Sequence, residues 1–349
     1  MKRIGVLTGG GDCPGLNPAI RAIVRRGHQL GYEILGIKDG WKGLIESRPF
    51  GEVFSCSTTE ILKDEDVSGI LNKGGTILGS SRTNPLKIEN GLEIVGDNYD
   101  KLNLFCLIVI GGEDTLSVAV KLKEKGINII GIPKTIDNDV GGTDYCIGFN
   151  TAVSKAVSAL DDLHSTAEAH HRVIVLEVMG RTCGWIATFA GYAGGADFIL
   201  IPEKSVSVDK VAESIKRRHR QGKNFSLIVI SEGATLEGKE IAEEEYDPFG
   251  HKKLGGVGQV LENLLKEKTG LEVRSISLGH LLRGGSPVPS DRILASRFGI
   301  KAIELVKEGK FGRMVALRGR KIISVPLEKA SNTKGVSLDI YKEAAIFFS

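Results

Sequence analysis

Short, uninterrupted apolar runs punctuate the chain, and each is followed by a stretch that reads as a helix. Ile4-Gly5-Val6-Leu7, Leu107-Ile108-Val109-Ile110, Ile127-Asn128-Ile129-Ile130-Gly131-Ile132 and Leu227-Ile228-Val229-Ile230 are rich in β-branched residues and do not alternate with polar ones. Such runs predict strands buried on both faces of a parallel sheet. Further strands are predicted over residues 33–37, 172–178, 198–201 and 273–278. Helices are predicted over residues 16–30, 115–125, 150–165, 184–192, 208–221, 258–269 and 290–308. Pro18 fits the first of these, because the first helical turn tolerates proline. Alternating β and α predicts an α/β fold with doubly wound parallel sheets and right-handed crossovers. A length of 349 residues fits two domains or one large one. The likeness of residues 107–113 to residues 227–233 hints at two similar halves. The highly charged stretch 236–256 reads as an exposed loop or insertion.

The informative chemistry follows two of the apolar runs. Gly111-Gly112-Glu113-Asp114-Thr115 follows one, and Pro133-Lys134-Thr135-Ile136-Asp137-Asn138-Asp139 follows another. Open α/β sheets bind ligands where loops leave the carboxyl ends of strands. Two neighbouring strands would then bring four carboxylates, a lysine and two glycines to one crevice edge. That set suits Mg²⁺-dependent phosphoryl transfer: oxygen ligands for a hard cation, N–H groups for phosphate, and a carboxylate to accept a hydroxyl proton. In extended backbone, Asp137 and Asp139 would face one side. One could take a proton while the other holds Mg²⁺ with Glu113. The plain alternative is a pair of turn-forming, helix-capping aspartates.

The segment Gly9-Gly10-Gly11-Asp12-Cys13-Pro14-Gly15 follows the first strand and opens a helix, a place where backbone N–H groups and the helix terminus favour an anion. A dinucleotide fingerprint fits it poorly: Pro14 takes a glycine position, and the second strand is followed by Lys38 instead of an acid. Arg274, His280 and Arg283 lie along one strand and its exit, and arginine forks suit phosphate monoesters. Singly such residues are more often surface groups; with Arg172 and Arg181 they read as a sugar-phosphate pocket. The segment from Gly233 to Lys239 fits G-x-x-x-x-G-K, but Glu240 stands where a Mg²⁺-binding hydroxyl belongs, so a true P-loop is not expected.

Bulk composition narrows the classes. The net charge of +3 points to neither a nucleic-acid nor a membrane partner, and 41% hydrophobic with 26% charged residues is ordinary for a globular protein. The basic run Lys216-Arg217-Arg218-His219-Arg220 reads as a solvated helix face in preference to a binding patch. Cys13, Cys56, Cys106, Cys146 and Cys183 show no metal-like spacing, which favours reduced thiols in the cytoplasm. No apolar run is long enough to span a bilayer, and no signal-peptide core is visible at the start.

Ordered motifs over nearly the whole chain resemble the 6-phosphofructokinase family: GGGDCPGLN at residues 9–17, GGTILGSSR at 74–82, GGEDT, PKTIDND, GTDYCIGFNTA at 142–152, EVMGR at 177–181 and LGHLLRGGSPVPSDRILASR at 278–297. The resemblance implies two Rossmann-like domains with mostly parallel sheets, the active site between them, and a homodimer or homotetramer. A phosphoryl-donor domain would hold residues 1–147 plus about 282–332, and a sugar-phosphate domain residues 148–281 plus about 333–349. Asp137 would be the base for the 1-hydroxyl of fructose 6-phosphate, with Thr135 and Asp139 placing substrate and metal. Gly11 and Arg82 would bind the donor phosphates. Met179, Gly180, Arg181 and Glu232 would hold the sugar. Arg172, Arg274, His280 and Arg283 would grip its 6-phosphate, the first two from a neighbouring subunit.

Two departures bear on the donor. ATP-using members resembling this chain carry glycine at the positions of Asp114 and usually Lys134; pyrophosphate-using members match it at both. A carboxylate at ~4 Å from the α-phosphate of a nucleotide would repel it by roughly 4 kcal/mol at an effective dielectric of ~20. That is about three decades of affinity or rate before screening. Pyrophosphate lacks the third phosphate and escapes this penalty, and Lys134 can serve as a point cation. Glu113 replaces the usual aspartate and can still ligate Mg²⁺. The resemblance thus implies reversible phosphoryl transfer from pyrophosphate to fructose 6-phosphate. ATP-dependent phosphofructokinase, a dinucleotide-binding dehydrogenase and a non-catalytic sugar-phosphate sensor stand as alternatives. At the family's regulatory site Arg21, Arg25 and Lys223 match basic positions, but His164 replaces an arginine, which implies weak or absent nucleotide control.

Overall fold

The structure, a computed structural model, describes residues 1–47, 58–236, 239–240, 242–246 and 252–348, with backbone alone at 239–240, 242–246 and 252–253. Cys56 and Gly238 lie outside the described residues. The strands are β1 (Arg3–Thr8), β2 (Glu33–Ile37), β3 (Thr59–Ile61), β4 (Leu104–Gly111), β5 (Ile129–Pro133), β6 (Val173–Val178), β7 (Phe198–Leu200), β8 (Ser226–Ser231), β9 (Thr235–Leu236), β10 (Lys239–Glu240), β11 (Ala242–Tyr246), β12 (Lys252–Leu254), β13 (Val273–Ser277), β14 (Arg313–Arg318) and β15 (Lys321–Pro326). The α-helices are α1 (Leu16–Gln29), α2 (Trp41–Ile45), α3 (Gly91–Lys101), α4 (Glu113–Glu124), α5 (Phe149–His170), α6 (Trp185–Ala193), α7 (Val208–Arg220), α8 (Val257–Thr269), α9 (Pro289–Lys307) and α10 (Leu338–Ala345). No helix among the described residues is long and apolar enough to cross a membrane.

The chain forms two compact units. One holds Met1–Asn150 and Arg283–Thr333; the other holds Thr151–Leu282 and the chain from Lys334 onward. In the first, seven strands run in the order β15-β14-β5-β4-β1-β2-β3. The central pairs are parallel, while β15 and β3 add antiparallel edges. The interior strands β1, β4 and β5 are almost wholly buried, which accounts for their unbroken apolar sequence. Edge strand β15 is half-exposed along most of its length, so it carries no comparable apolar run. The register sets Thr8 opposite Ile110 and Gly111 opposite Pro133, so β1, β4 and β5 end level and release their loops at one edge.

The second unit is built on a four-stranded parallel sheet in the order β13-β6-β8-β7. Val175, Ile228, Ile230, Val211, Ile215, Leu261 and Leu265 pack into one of its cores. Two parallel-sheet units of this kind agree with the α/β, Rossmann-like expectation. The stretch 236–256 departs from the loop expected of it: β9 pairs with β10 and β11 with β12, both antiparallel. Hairpins of this kind are closed by backbone bonds between segments near in sequence, so they need no apolar alternation to form. The basic run in α7 also departs from a purely solvated face. Arg218 is buried, 2.8 Å from Asp197, and donates to Ser226 Oγ at 3.2 Å.

Candidate active site

The turn after β1 is held from three sides in the first unit. The Thr115 side chain, in the first turn of α4, lies where a Cβ on Gly9 would come within 2.6 Å of it, so only glycine lets α4 seat there. The Gly10 N–H donates to the Ser81 carbonyl at 3.0 Å, and Thr8 Oγ1 donates to the Gly79 carbonyl at 2.7 Å. Asn17 reinforces this: its Oδ1 accepts from the Ile77 N–H at 2.8 Å and its Nδ2 donates to the Lys73 carbonyl at 3.2 Å. These bonds bring exposed Arg82 beside the glycine turn. Asn17 and Thr8 escaped the site reading because buried polar side chains leave no periodic signal.

Lys134 follows β5, is 3% exposed, and its ammonium donates to the Gly11 carbonyl. Burial pushes its pKa below the ordinary lysine value, opposed by Cys13, Asp12 and Asp137. Arg283 is a second cation on the same turn. Its Nη1 donates to the Asp12 carbonyl at 3.3 Å and lies where a Cβ on Gly11 would meet it at 2.6 Å. Burial also pushes the Cys13 thiol up to about 12, which makes it inert as a nucleophile.

Glu113 and Asp114 open α4 and are not loop residues, as a helix beginning at Thr115 would have made them. Acidic side chains belong in a first helical turn, where the unpaired N–H groups and the macrodipole favour them. Glu113 Oε1 accepts from Ser117 Oγ at 3.0 Å. After β5 the backbone turns at residues 136–137 and Asn138 takes a left-handed φ of 53°. The extended alternation expected of Asp137 and Asp139 is therefore absent; a turn carries both, and both are buried. Asn138 fixes that turn, its Oδ1 accepting from the Cys146 N–H at 2.9 Å and its Nδ2 donating to the Asp144 carbonyl at 3.2 Å. Asparagine tolerates this conformation better than most residues, the one signal that could have exposed it in sequence. Thr135 Oγ1 accepts from the Asp137 N–H at 3.1 Å.

In the second unit, Glu232 at the end of β8 organises the loop after β6. Its Oε1 accepts from the Gly180 N–H at 3.2 Å and the Arg181 N–H at 2.9 Å. Arg181 itself has a left-handed φ of 49°. Met179, Gly180, Arg181 and Glu232 are thus brought together as a group. Arg172 and Arg274 meet elsewhere: both lie 3.0 Å from Glu272 Oε1, and hydrogen bonding from Arg172 holds that carboxyl below its usual range. They sit at the amino ends of β6 and β13, while Arg181 and His280 follow the carboxyl ends. Strands of five or six residues separate the two groups by roughly 15–20 Å. One chain therefore does not join Arg172, Arg274, His280 and Arg181 in one pocket, contrary to the direct reading of the sequence. Arg283 closes the 3-10 turn Gly279–Arg283 that also carries His280, and its guanidinium donates to the Asp12 carbonyl of the glycine turn.

No group of three or more His, Cys, Asp or Glu side chains able to hold a metal occurs among the described residues. Glu113, at the start of α4, and Asp139, in the loop after β5, follow neighbouring strands and would offer a two-carboxylate donor set. That set fits Mg²⁺, which commonly keeps waters and takes its remaining ligands from substrate phosphates.

A parallel sheet delivering a glycine turn, a buried lysine and paired aspartates to one edge defines a phosphoryl-transfer protein. The family described as phosphofructokinase matches residues 3–306, and the chain belongs to that family. It is 49% identical over 353 residues to a pyrophosphate–fructose 6-phosphate 1-phosphotransferase of Amycolatopsis mediterranei, covering 99% of each chain. It is 43% identical over 350 residues to an ATP-dependent 6-phosphofructokinase of Corynebacterium efficiens, again covering 99% of each. The structure of phosphofructokinase from Saccharomyces cerevisiae superposes with a TM-score of 0.81 at 31% identity, over 95% of this chain and 44% of that one.

Proposed function

We propose that this protein is a Mg²⁺-dependent, reversible pyrophosphate–fructose 6-phosphate 1-phosphotransferase. The observation that carries the reading is Asp114 in the first turn of α4, directly before Thr115, whose side chain meets the glycine turn that Lys134 also holds. A carboxylate there opposes a third phosphate, and a buried cation there favours a compact anionic donor. Asp137 accepts the proton of the 1-hydroxyl as its oxygen bonds to phosphorus, and the phosphorus–oxygen bond to the leaving phosphate breaks. Arg82 and Lys134 offset the charge that spreads over the phosphoryl oxygens, and Thr135 holds the Asp137 turn in shape. Glu113 and Asp139 would hold Mg²⁺, which when bound neutralises phosphate charge. Met179, Gly180, Arg181 and Glu232 bind the sugar, and His280 its 6-phosphate. Arg172 and Arg274 reach the 6-phosphate of a second subunit in a homodimer or homotetramer. Arg283, on the same 3-10 turn as His280, binds the 6-phosphate as well. The buried thiols Cys13 and Cys106 support a cytoplasmic location.

The test compares initial rates with fructose 6-phosphate and Mg²⁺ when pyrophosphate or ATP is supplied at equal concentration. A strong pyrophosphate preference is expected, and Asp114→Gly, alone or with Lys134→Gly, should shift it toward ATP. An unmoved preference in the variants would sink the charge argument. An ATP preference in the parent would place the chain with the ATP-dependent relatives.

A further inference from the structure

We infer that Glu177 is a positioning residue for the sugar-binding loops of the second unit, an inference that rests on the phosphotransferase reading above. Glu177 lies on β6 and is 5% exposed. Its Oε2 accepts from the Gly258 N–H at 2.7 Å; its Oε1 accepts from the Gly256 N–H at 3.3 Å and from Ser277 Oγ at 3.2 Å. Its backbone carbonyl accepts from the Leu278 N–H at 3.1 Å.

Three segments therefore converge on one buried carboxylate. The first is β6 itself, which runs on to Met179, Gly180 and Arg181. The second is the end of β13, from which the chain turns at once to His280. The third is the Gly255-Gly256 link, where the hairpins of the inserted stretch rejoin α8. Gly256 and Gly258 flank the start of α8, so the carboxylate also occupies the end of the helix that favours negative charge. The fit is close: a Cβ on Gly258 would lie 3.1 Å from Glu177 Oε2. A buried carboxylate with several donors has one favourable geometry, because losing a donor leaves charge unsatisfied. Glu177 thereby fixes where the loops after β6 and β13 begin, and ties the insertion to the strand that carries the sugar loop.

Glu177→Gln keeps the size but turns an NH₂ group toward one of the N–H donors. Ser277→Ala removes a single donor and leaves the α8 contact in place. The test measures KM for fructose 6-phosphate, KM for pyrophosphate and kcat in the parent and both variants, with thermal unfolding as the folding check. The KM for fructose 6-phosphate should rise roughly tenfold in Glu177→Gln and less in Ser277→Ala, while the KM for pyrophosphate stays within about twofold. Equal rises in both KM values, or no change in a folded variant, overturn the inference. If Glu177→Gln does not fold, Ser277→Ala decides alone. A parent that turns over neither substrate pair would sink the phosphotransferase reading instead. Amide exchange then decides the positioning: faster exchange at Gly180 and Arg181 in Ser277→Ala supports it, and unchanged rates overturn it.

Discussion

Lys134 shows how a residue proposed to bind phosphate can be costly for folding. Its ammonium is buried and finds the Gly11 carbonyl, but burial still lowers its pKa. The sign follows from that direction. The charged form is disfavoured in the folded state, so the cost is full below the folded pKa and fades as pH climbs toward 10.5, the unfolded value. Lys134→Met should therefore unfold at a higher temperature than the parent at pH 7. The gap should narrow at pH 10, and pyrophosphate should stabilise the parent and not the variant. Thermal unfolding at both pH values, with and without pyrophosphate, checks this; a variant less stable than the parent at pH 7 would contradict it. The lysine was visible in the sequence as a charged residue directly after an apolar strand. Its burial was not, because that depends on Arg283 and the glycine turn arriving from far along the chain.

At the scale of elements, a carboxylate of α8 itself also ties that helix to β13. Glu262 accepts from the Ser275 N–H at 2.7 Å, from Ser275 Oγ at 2.6 Å and from the Lys266 ammonium. Burial alone would raise its pKa, but the Lys266 and Ser275 bonds win and hold it at about 2. A depressed carboxyl stabilises the fold above its unfolded value of 4.5, and that contribution is lost as pH falls from there toward 2. Glu262→Gln should cost roughly 2 kcal/mol near neutral pH. The difference from the parent should close between pH 4.5 and 2, as followed by urea unfolding. A pH-independent difference would mean that shape, and not charge, docks the helix. The same lesson explains the elements that sequence missed. Interior strands such as β4 and β5 announce themselves because both faces are buried. The half-exposed β15, the short β3 and the hairpins β9–β10 and β11–β12 depend on partners or on local backbone pairing, and leave no such mark.

For the whole molecule, the separation of Arg172 and Arg274 from Arg181 and His280 has a functional consequence. If those arginines serve a second subunit, mixing Asp137→Ser with Arg172→Ala protomers should restore part of the activity that each variant lacks alone. Light scattering should report a dimer or larger. A monomer with full activity would remove the cross-subunit role. By itself the sequence determined the α/β class, the strands that bear the chemistry and the carboxylates after β4 and β5, because burial of whole strands and the chemistry of side chains are local properties written residue by residue. Only the tertiary structure decided that Asp137 and Asp139 share a turn at Asn138, that Glu113 and Asp114 are helical, that Arg283 sits on the glycine turn, and that Arg172 and Arg274 share Glu272 at the far end of their strands. Those outcomes depend on which strands become neighbours and in what register, and pairing between distant segments is not encoded in any one of them.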